Sequence, residues 1–209
     1  MISKLIYLIL AFSAFTVEAK PALLPIKACT YETPFGIIPN GKLLCREGLL
    51  INYDEVAKIP IAVTYTLEKS EISTCAERDS SFSVDSDLPK KSASTTKDYY
   101  KSGFDMGHMA NAADFKWSFD AQAGVALLSN IAPQHPTLNR GFWRALEDQT
   151  RSWAIARGPL VVITGPIYKK SKLKIGNGVI VPTAFFKSVR REIYSIFSRV
   201  YESEIENFV

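Results

Sequence analysis

Histidine is scarce in this chain: only His108 and His135 occur in 209 residues. Chemistry that needs an imidazole near neutral pH must therefore use one of two positions. Cysteine is nearly as rare, with Cys29, Cys45 and Cys75 and no C-x-x-C spacing, which argues against a thiolate zinc site. Cys29 and Cys45 lie near each other in sequence and are the first choice for a bridge, which leaves Cys75 over. Long apolar runs are missing too. The run from Leu5 to Phe15 falls short of the about 20 residues that span a bilayer, and no other segment reaches that length. There is no internal repeat and no low-complexity tract, so a repeat array and a compositionally disordered chain are both disfavoured. Nor does one sign of charge dominate: a net +4 tolerates a polyanion without demanding one.

What is present fits one globular unit. Hydrophobic residues make up 47% and charged residues 22%, ordinary soluble usage, and the length suits a single domain with a sizeable core. The opening "MISKLIYLILAFSAFTVEAK" has Lys4, then an apolar stretch, then Val17 and Ala19 at the minus-three and minus-one positions of a cleavage site. Residues 1–19 read as a secretory signal peptide, with a retained anchor as the alternative, and residues 20–209 as one domain. Its removal takes Lys4 and Glu18 together, so the net charge is unchanged.

Strands are expected at Leu49–Tyr53 and Ile59–Leu67, which are rich in Ile, Val, Thr and Tyr. "GVALLSNIAPQ" from Gly124, "GPLVVITGPIY" from Gly158 and "GNGVIVPTAFFKSVRR" from Gly176 read as further strands bounded by Gly and Pro. The polar segment Leu88–Asp98 reads as a loop. "LNRGFWRALEDQTRSWAIARG" predicts a helix of roughly four turns from Asn139 to a stop at Gly158. Strands on both sides of a helix make an α+β domain.

On a continuous helix Asn139, Glu147 and Arg151 share one side, because each step of four residues turns by only about 40°. Such a stripe is either a solvated face with a Glu147–Arg151 ion pair or a site. His108, in "SGFDMGHMANAADF", is open in the same way: a core residue between Met106 and Met109, or a catalyst. Asp105, Asn111 and Asp114 are its polar neighbours in sequence.

"FDMGHMANAADF", then "LLSNIAPQHPTLNRGFWRALEDQTR", then "VVITGPIY" and "IVPTAFFKSV" occur in that order. Together they resemble the DNA/RNA non-specific endonuclease family, the ββα-metal nucleases that include Serratia nuclease and endonuclease G. The family pattern is D-R-G-H, S-N-x-x-P-Q, L-N-x-G-x-W with a following L-E and arginine, and V-P-x-x-F-x-K. The resemblance implies a ββα-metal fold with a central antiparallel sheet and flanking helices. It also implies an enzyme that hydrolyses DNA and RNA with little sequence preference and leaves 5′-phosphates; with the signal-peptide reading, the expectation is a secreted or periplasmic protein that inserts stably into no membrane once the signal is cleaved.

Carried over residue by residue, the resemblance makes His108 the general base and Asn139 the direct ligand of Mg²⁺, with Mn²⁺ as the alternative metal. Glu147 holds metal-bound water, and Arg151 offsets charge on the phosphate. Arg78, in "RDSSFSVD", contacts phosphate, while Asp105 and Asn130 support the site. His135 has no counterpart. Met106 stands where the pattern has arginine and cannot donate to phosphate. That departure keeps one rival open, a nucleic-acid-binding protein of the same fold that has lost turnover; a second rival is a structural or interaction domain whose helical stripe is only polar surface.

Overall fold

The structure, a computed structural model, describes residues 41–74 and 81–191 and the backbone of 206–208. The expected signal peptide, Cys29, Cys75 and Arg78 lie outside the described residues. Cys45 is disulfide-bonded, and both other cysteines fall among the residues not described.

Along the chain the strands are β1 (Lys42–Arg46), β2 (Leu49–Asp54), β3 (Ile59–Leu67), β4 (Asp105–His108), β5 (Ile131–Gln134), β6 (Leu160–Ile167), β7 (Lys174–Ile175), β8 (Val179–Ile180), β9 (Ala184–Arg191) and β10 (Glu206–Phe208). The α-helices are α1 (Lys69–Ile72), α2 (Thr96–Tyr99), α3 (Phe119–Val125) and α4 (Arg144–Arg157). Six strands form one antiparallel sheet in the order β1-β2-β3-β6-β9-β10, and β4 with β5 form a separate two-stranded ribbon. This is the mixed helix and antiparallel-sheet architecture expected from the sequence.

The sheet forms because its runs are rich in β-branched and aromatic residues, and β2 is buried on both faces. In β2 and β3, Leu49, Ile51, Tyr53, Val63, Tyr65 and Leu67 are buried, joined by Leu160 and Val162 of β6. Met109, Phe115, Leu128 and Ile131 close over them from the segments around the ribbon. The β1–β2 turn needs Gly48, which has φ +74° and would place an added Cβ 2.7 Å from the Trp117 ring.

Four sequence expectations shift. Only Ile131–Gln134 of "GVALLSNIAPQ" is a strand. Ser118 accepts hydrogen bonds from the Asp120 and Ala121 amides and starts α3, which carries the chain through Gly124 and Val125 before a 3₁₀ turn at Leu128–Asn130. "GNGVIVPTAFFKSVRR" divides at Pro182, whose missing N–H separates β8 from β9. The expected loop at Leu88–Asp98 closes in the start of α2, where Asp98 reaches back to the Thr95 amide. The helix from Asn139 begins with a wide, π-type turn over Leu138–Trp143, and regular geometry starts only at Arg144.

Candidate active site

The ribbon pairs Asp105 with Gln134, Met106 with Pro133, Gly107 with Ala132 and His108 with Ile131. Gly107 is required by packing: an added Cβ would lie 2.4 Å from Gln134 Oε1 and 2.6 Å from Gln134 Cβ. His108 ends β4, half-buried, with its ring 5.2 Å from that of Phe82. Just beyond it, the buried Asn130 holds the backbone from several directions. Its side-chain oxygen accepts from the Ala110 amide at 2.9 Å, and its nitrogen donates to the Ala110 and Val125 carbonyls at 3.0 and 2.9 Å. Its own carbonyl accepts from Met109 N at 2.9 Å.

Asp105, at the other end of β4, gathers the turn that precedes α4. Asn139 Nδ2 donates to Asp105 Oδ2 at 2.9 Å, and Arg140 donates to both carboxylate oxygens, Nε at 2.8 Å and Nη2 at 2.6 Å. Arg140's hydrogen bonds, helped by Asn139 and opposed by partial burial, hold the Asp105 carboxyl below the ordinary carboxylate range. The turn is broken at Gly141, whose φ −108° and ψ −106° are not helical. Asn139 is therefore not on one straight stripe with Glu147 and Arg151. It reaches Asp105, while the other two belong to a buried cluster behind the helix start.

In that cluster Glu147, 6% exposed, accepts from Asn111 Nδ2. Arg151 donates through Nη1 to Asp114 Oδ1 at 2.8 Å and through Nη2 to Asp148. Asp114 Oδ2 accepts from Tyr65 at 2.8 Å. Lys187 is 3% exposed, donates to Thr164 Oγ1 at 2.9 Å and lies 5.1 Å over the Trp143 ring. Burial pushes the Glu147 carboxyl up to about 7, against the attraction of Lys187 and with the repulsion of Asp114. Two cations thus face two buried carboxylates.

The structure brings Asp105 to Asn139, and sets Glu147 beside Asn111, itself three residues after His108. It commits Arg151 to Asp114 and Asp148, and it leaves His135 exposed just after β5, where its carbonyl accepts from Asn139 N at 2.9 Å. Lys187, Gln134, Arg140 and Tyr65 were not singled out in the sequence. Lys187 had a signal, since it closes the V-P-x-x-F-x-K block, but nothing local showed that its ammonium would be buried.

Residues 28–195 match the DNA/RNA non-specific endonuclease family. The chain belongs to that family. It is 34% identical over 165 residues to human mitochondrial endonuclease G, covering 73% of this chain and 56% of that relative. It is 31% identical over 170 residues to the mitochondrial nuclease of Saccharomyces cerevisiae, covering 74% and 52%. The chain spans about half the length of these relatives. The solved structure of an EndoG/EndoGI complex superposes with a TM-score of 0.69 at 29% identity, over 75% of this chain and 70% of that one. The fold is thereby that of the ββα-metal nucleases. The expectation of a secreted or periplasmic protein is overturned, because these family relatives are mitochondrial nucleases. Among the described residues no helix is long and apolar enough to cross a membrane.

Proposed function

We propose that the chain is a metal-dependent endonuclease that hydrolyses DNA and RNA with little sequence preference. The observation that carries this reading is the junction at Asp105, which stands on the same strand as His108. Asp105 takes the amide nitrogen of Asn139, so the amide oxygen is the end turned to other partners.

The donors fit a hard, hydrated cation. Among the described residues no three of His, Cys, Asp and Glu are arranged to hold a metal, which disfavours a zinc-type site. Amide oxygens suit Mg²⁺, which keeps most of its water and needs few protein ligands; Mn²⁺ accepts the same donors. The fully buried Gln134, opposite Asp105, has neither amide atom hydrogen-bonded among the described residues. Asn139 would hold the ion, with Gln134 and Glu147 as acceptors for its water. When bound, the cation polarises the phosphoryl oxygen and steadies the leaving oxygen.

His108 acts as general base. It takes a proton from water as the water oxygen bonds to phosphorus and the bond to the 3′ oxygen breaks, leaving a 5′-phosphate. Phe82 against the imidazole limits its rotation. Asn130 fixes the backbone that follows, and Arg151 supports the site through its pair with Asp114. Arg78 is assigned to phosphate by its place in the family pattern alone. Contacts made to phosphate carry no base identity, hence the low sequence preference.

The test is degradation of plasmid DNA and of RNA by the full chain with Mg²⁺, Mn²⁺ or a chelator. Cleavage should require the metal, and His108→Ala or Asn139→Ala should each lower it by about 100-fold or more. Equal activity in all three proteins rejects the mechanism. Binding without cleavage by the parent chain would favour the rival in which Met106 marks lost turnover.

A further inference from the structure

Met106 places no cation on β4, yet the adjoining turn places one beside Asn139. In a regular helix neighbouring side chains diverge by about 100°, so two consecutive residues do not meet one partner. Here Asn139 and Arg140 both reach the carboxylate of Asp105, and both donate to the same oxygen, Oδ2. The break at Gly141 and the wide turn around it allow this. Wide turns of this kind are concentrated at functional sites, because they re-aim side chains that a helix would disperse.

The pair uses a particular edge of the guanidinium. Nε and Nη2 form the fork to Asp105, so Nη1 and the outer hydrogen of Nη2 lie on the edge turned away from the carboxylate. The side chain is 72% exposed, while that of Asp105 is 16% exposed. An exposed ion pair of this kind contributes little to stability, so folding alone gives weak reason for the arrangement. What it does provide is a planar cation held in orientation next to an amide oxygen, with two donors presented outward. A phosphodiester has two non-bridging oxygens, spaced to accept a guanidinium fork.

We propose that Arg140 is a phosphate-binding residue of the substrate site, oriented by Asp105 and engaging a non-bridging oxygen of the nucleic-acid backbone beside Asn139. The assignment rests on the nuclease reading above. Asp105 is then shared: it orients the amide of Asn139 and the guanidinium of Arg140 together. The contact is to backbone, so it serves DNA and RNA alike.

The experiment compares the full chain with Arg140→Met and Arg140→Lys. Steady-state cleavage of a DNA duplex and an RNA oligonucleotide is measured with Mg²⁺. Binding of the same oligonucleotides is then measured across a salt series in the His108→Ala background. In Arg140→Met, KM should rise about tenfold or more while kcat stays within about threefold, as for loss of one charge-assisted contact. The slope of log affinity against log salt should fall by about one. Arg140→Lys should restore the slope and recover only part of KM, since lysine keeps the charge and loses the fork. An unchanged KM and salt slope in a parent that cleaves overturns the role of Arg140 and leaves the nuclease reading standing. So does a fall in kcat and melting temperature together with an unchanged salt slope, which marks a structural pair. A parent that neither binds nor cleaves nucleic acid removes both.

Discussion

Glu147 shows how one residue is tuned by its surroundings. It is nearly buried, and its carboxyl is pushed to about 7 by burial, with Lys187 resisting and Asp114 reinforcing the shift. The folded protein therefore keeps a proton on Glu147 between the ordinary glutamate range near 4.5 and about 7, where the unfolded chain has lost it. By linkage, this residue makes stability fall as pH rises through that window, by at most about 1.4 kcal/mol per pH unit, and adds no further change above it. Glu147→Gln should remove that slope, read as the difference between the two proteins in urea unfolding at several pH values. The difference isolates Glu147 from other groups that titrate nearby. Lys187→Met should push the Glu147 carboxyl further up, because an opposing cation is lost, and so extend the Glu147-dependent stability slope to higher pH in the same urea series. A slope that ends at the same pH would show that Lys187 does not act on Glu147. At this scale the sequence revealed the residues that sit in motif blocks. His108 and Asn139 are named by their neighbours, and Glu147 by its distance from Asn139. Tyr65 was hidden because its role comes from a partner far along the chain, Asp114, while Lys187 and Gln134 close motif blocks but gave no local sign that they would be buried.

Among the elements, α4 and the turn before it decide whether Asn139 reaches β4. The helix reading from composition was right in kind and length, and Gly158 ends it as expected. It misplaced the start, because a glycine within a run of good helix formers does not reveal whether the helix passes through it. Likewise "GVALLSNIAPQ" has a strand's composition, and the Ser118 cap outside it draws its first two residues, Gly124 and Val125, into a helix. The break at Gly141 can be tested directly. Nothing lies within 4 Å of an added Cβ there, so alanine meets no steric obstacle. Alanine favours helix by about 1 kcal/mol over glycine and should extend α4 back toward Leu138. Gly141→Ala should therefore keep or raise the melting temperature, gain helical circular dichroism, and lose about tenfold or more of its metal-dependent activity as Asn139 leaves Asp105. Full activity in a folded variant would show that the break is not what delivers Asn139.

For the whole molecule, the question is how the ribbon and α4 are held on the sheet. The α+β class was legible, because β2 and β3 declare themselves by their Ile, Val, Thr and Tyr content and β6 by its Gly and Pro boundaries, while the central antiparallel sheet came with the family resemblance. The fastening was not, because it depends on polar groups that burial makes decisive. Tyr65 of β3 packs on Phe115 with ring centroids 5.2 Å apart and donates to Asp114, which in turn accepts from Arg151 of α4. Lys187 of β9 reaches under Trp143 at the helix start. Each tie joins the sheet to the element that carries the site. Removing one hydroxyl from Tyr65 keeps the ring packing but takes a donor from a buried carboxylate, a change that costs about 1–3 kcal/mol. Tyr65→Phe should lower the unfolding free energy by that amount, seen as a lower urea midpoint at an unchanged denaturant slope, and it should speed amide exchange in α4 more than in β2 or β6. Uniform acceleration across sheet and helix would mean that the hydroxyl stabilises the fold as a whole. Faster exchange confined to α4 would place the tie where the geometry does, between the main sheet and the helix that positions Glu147.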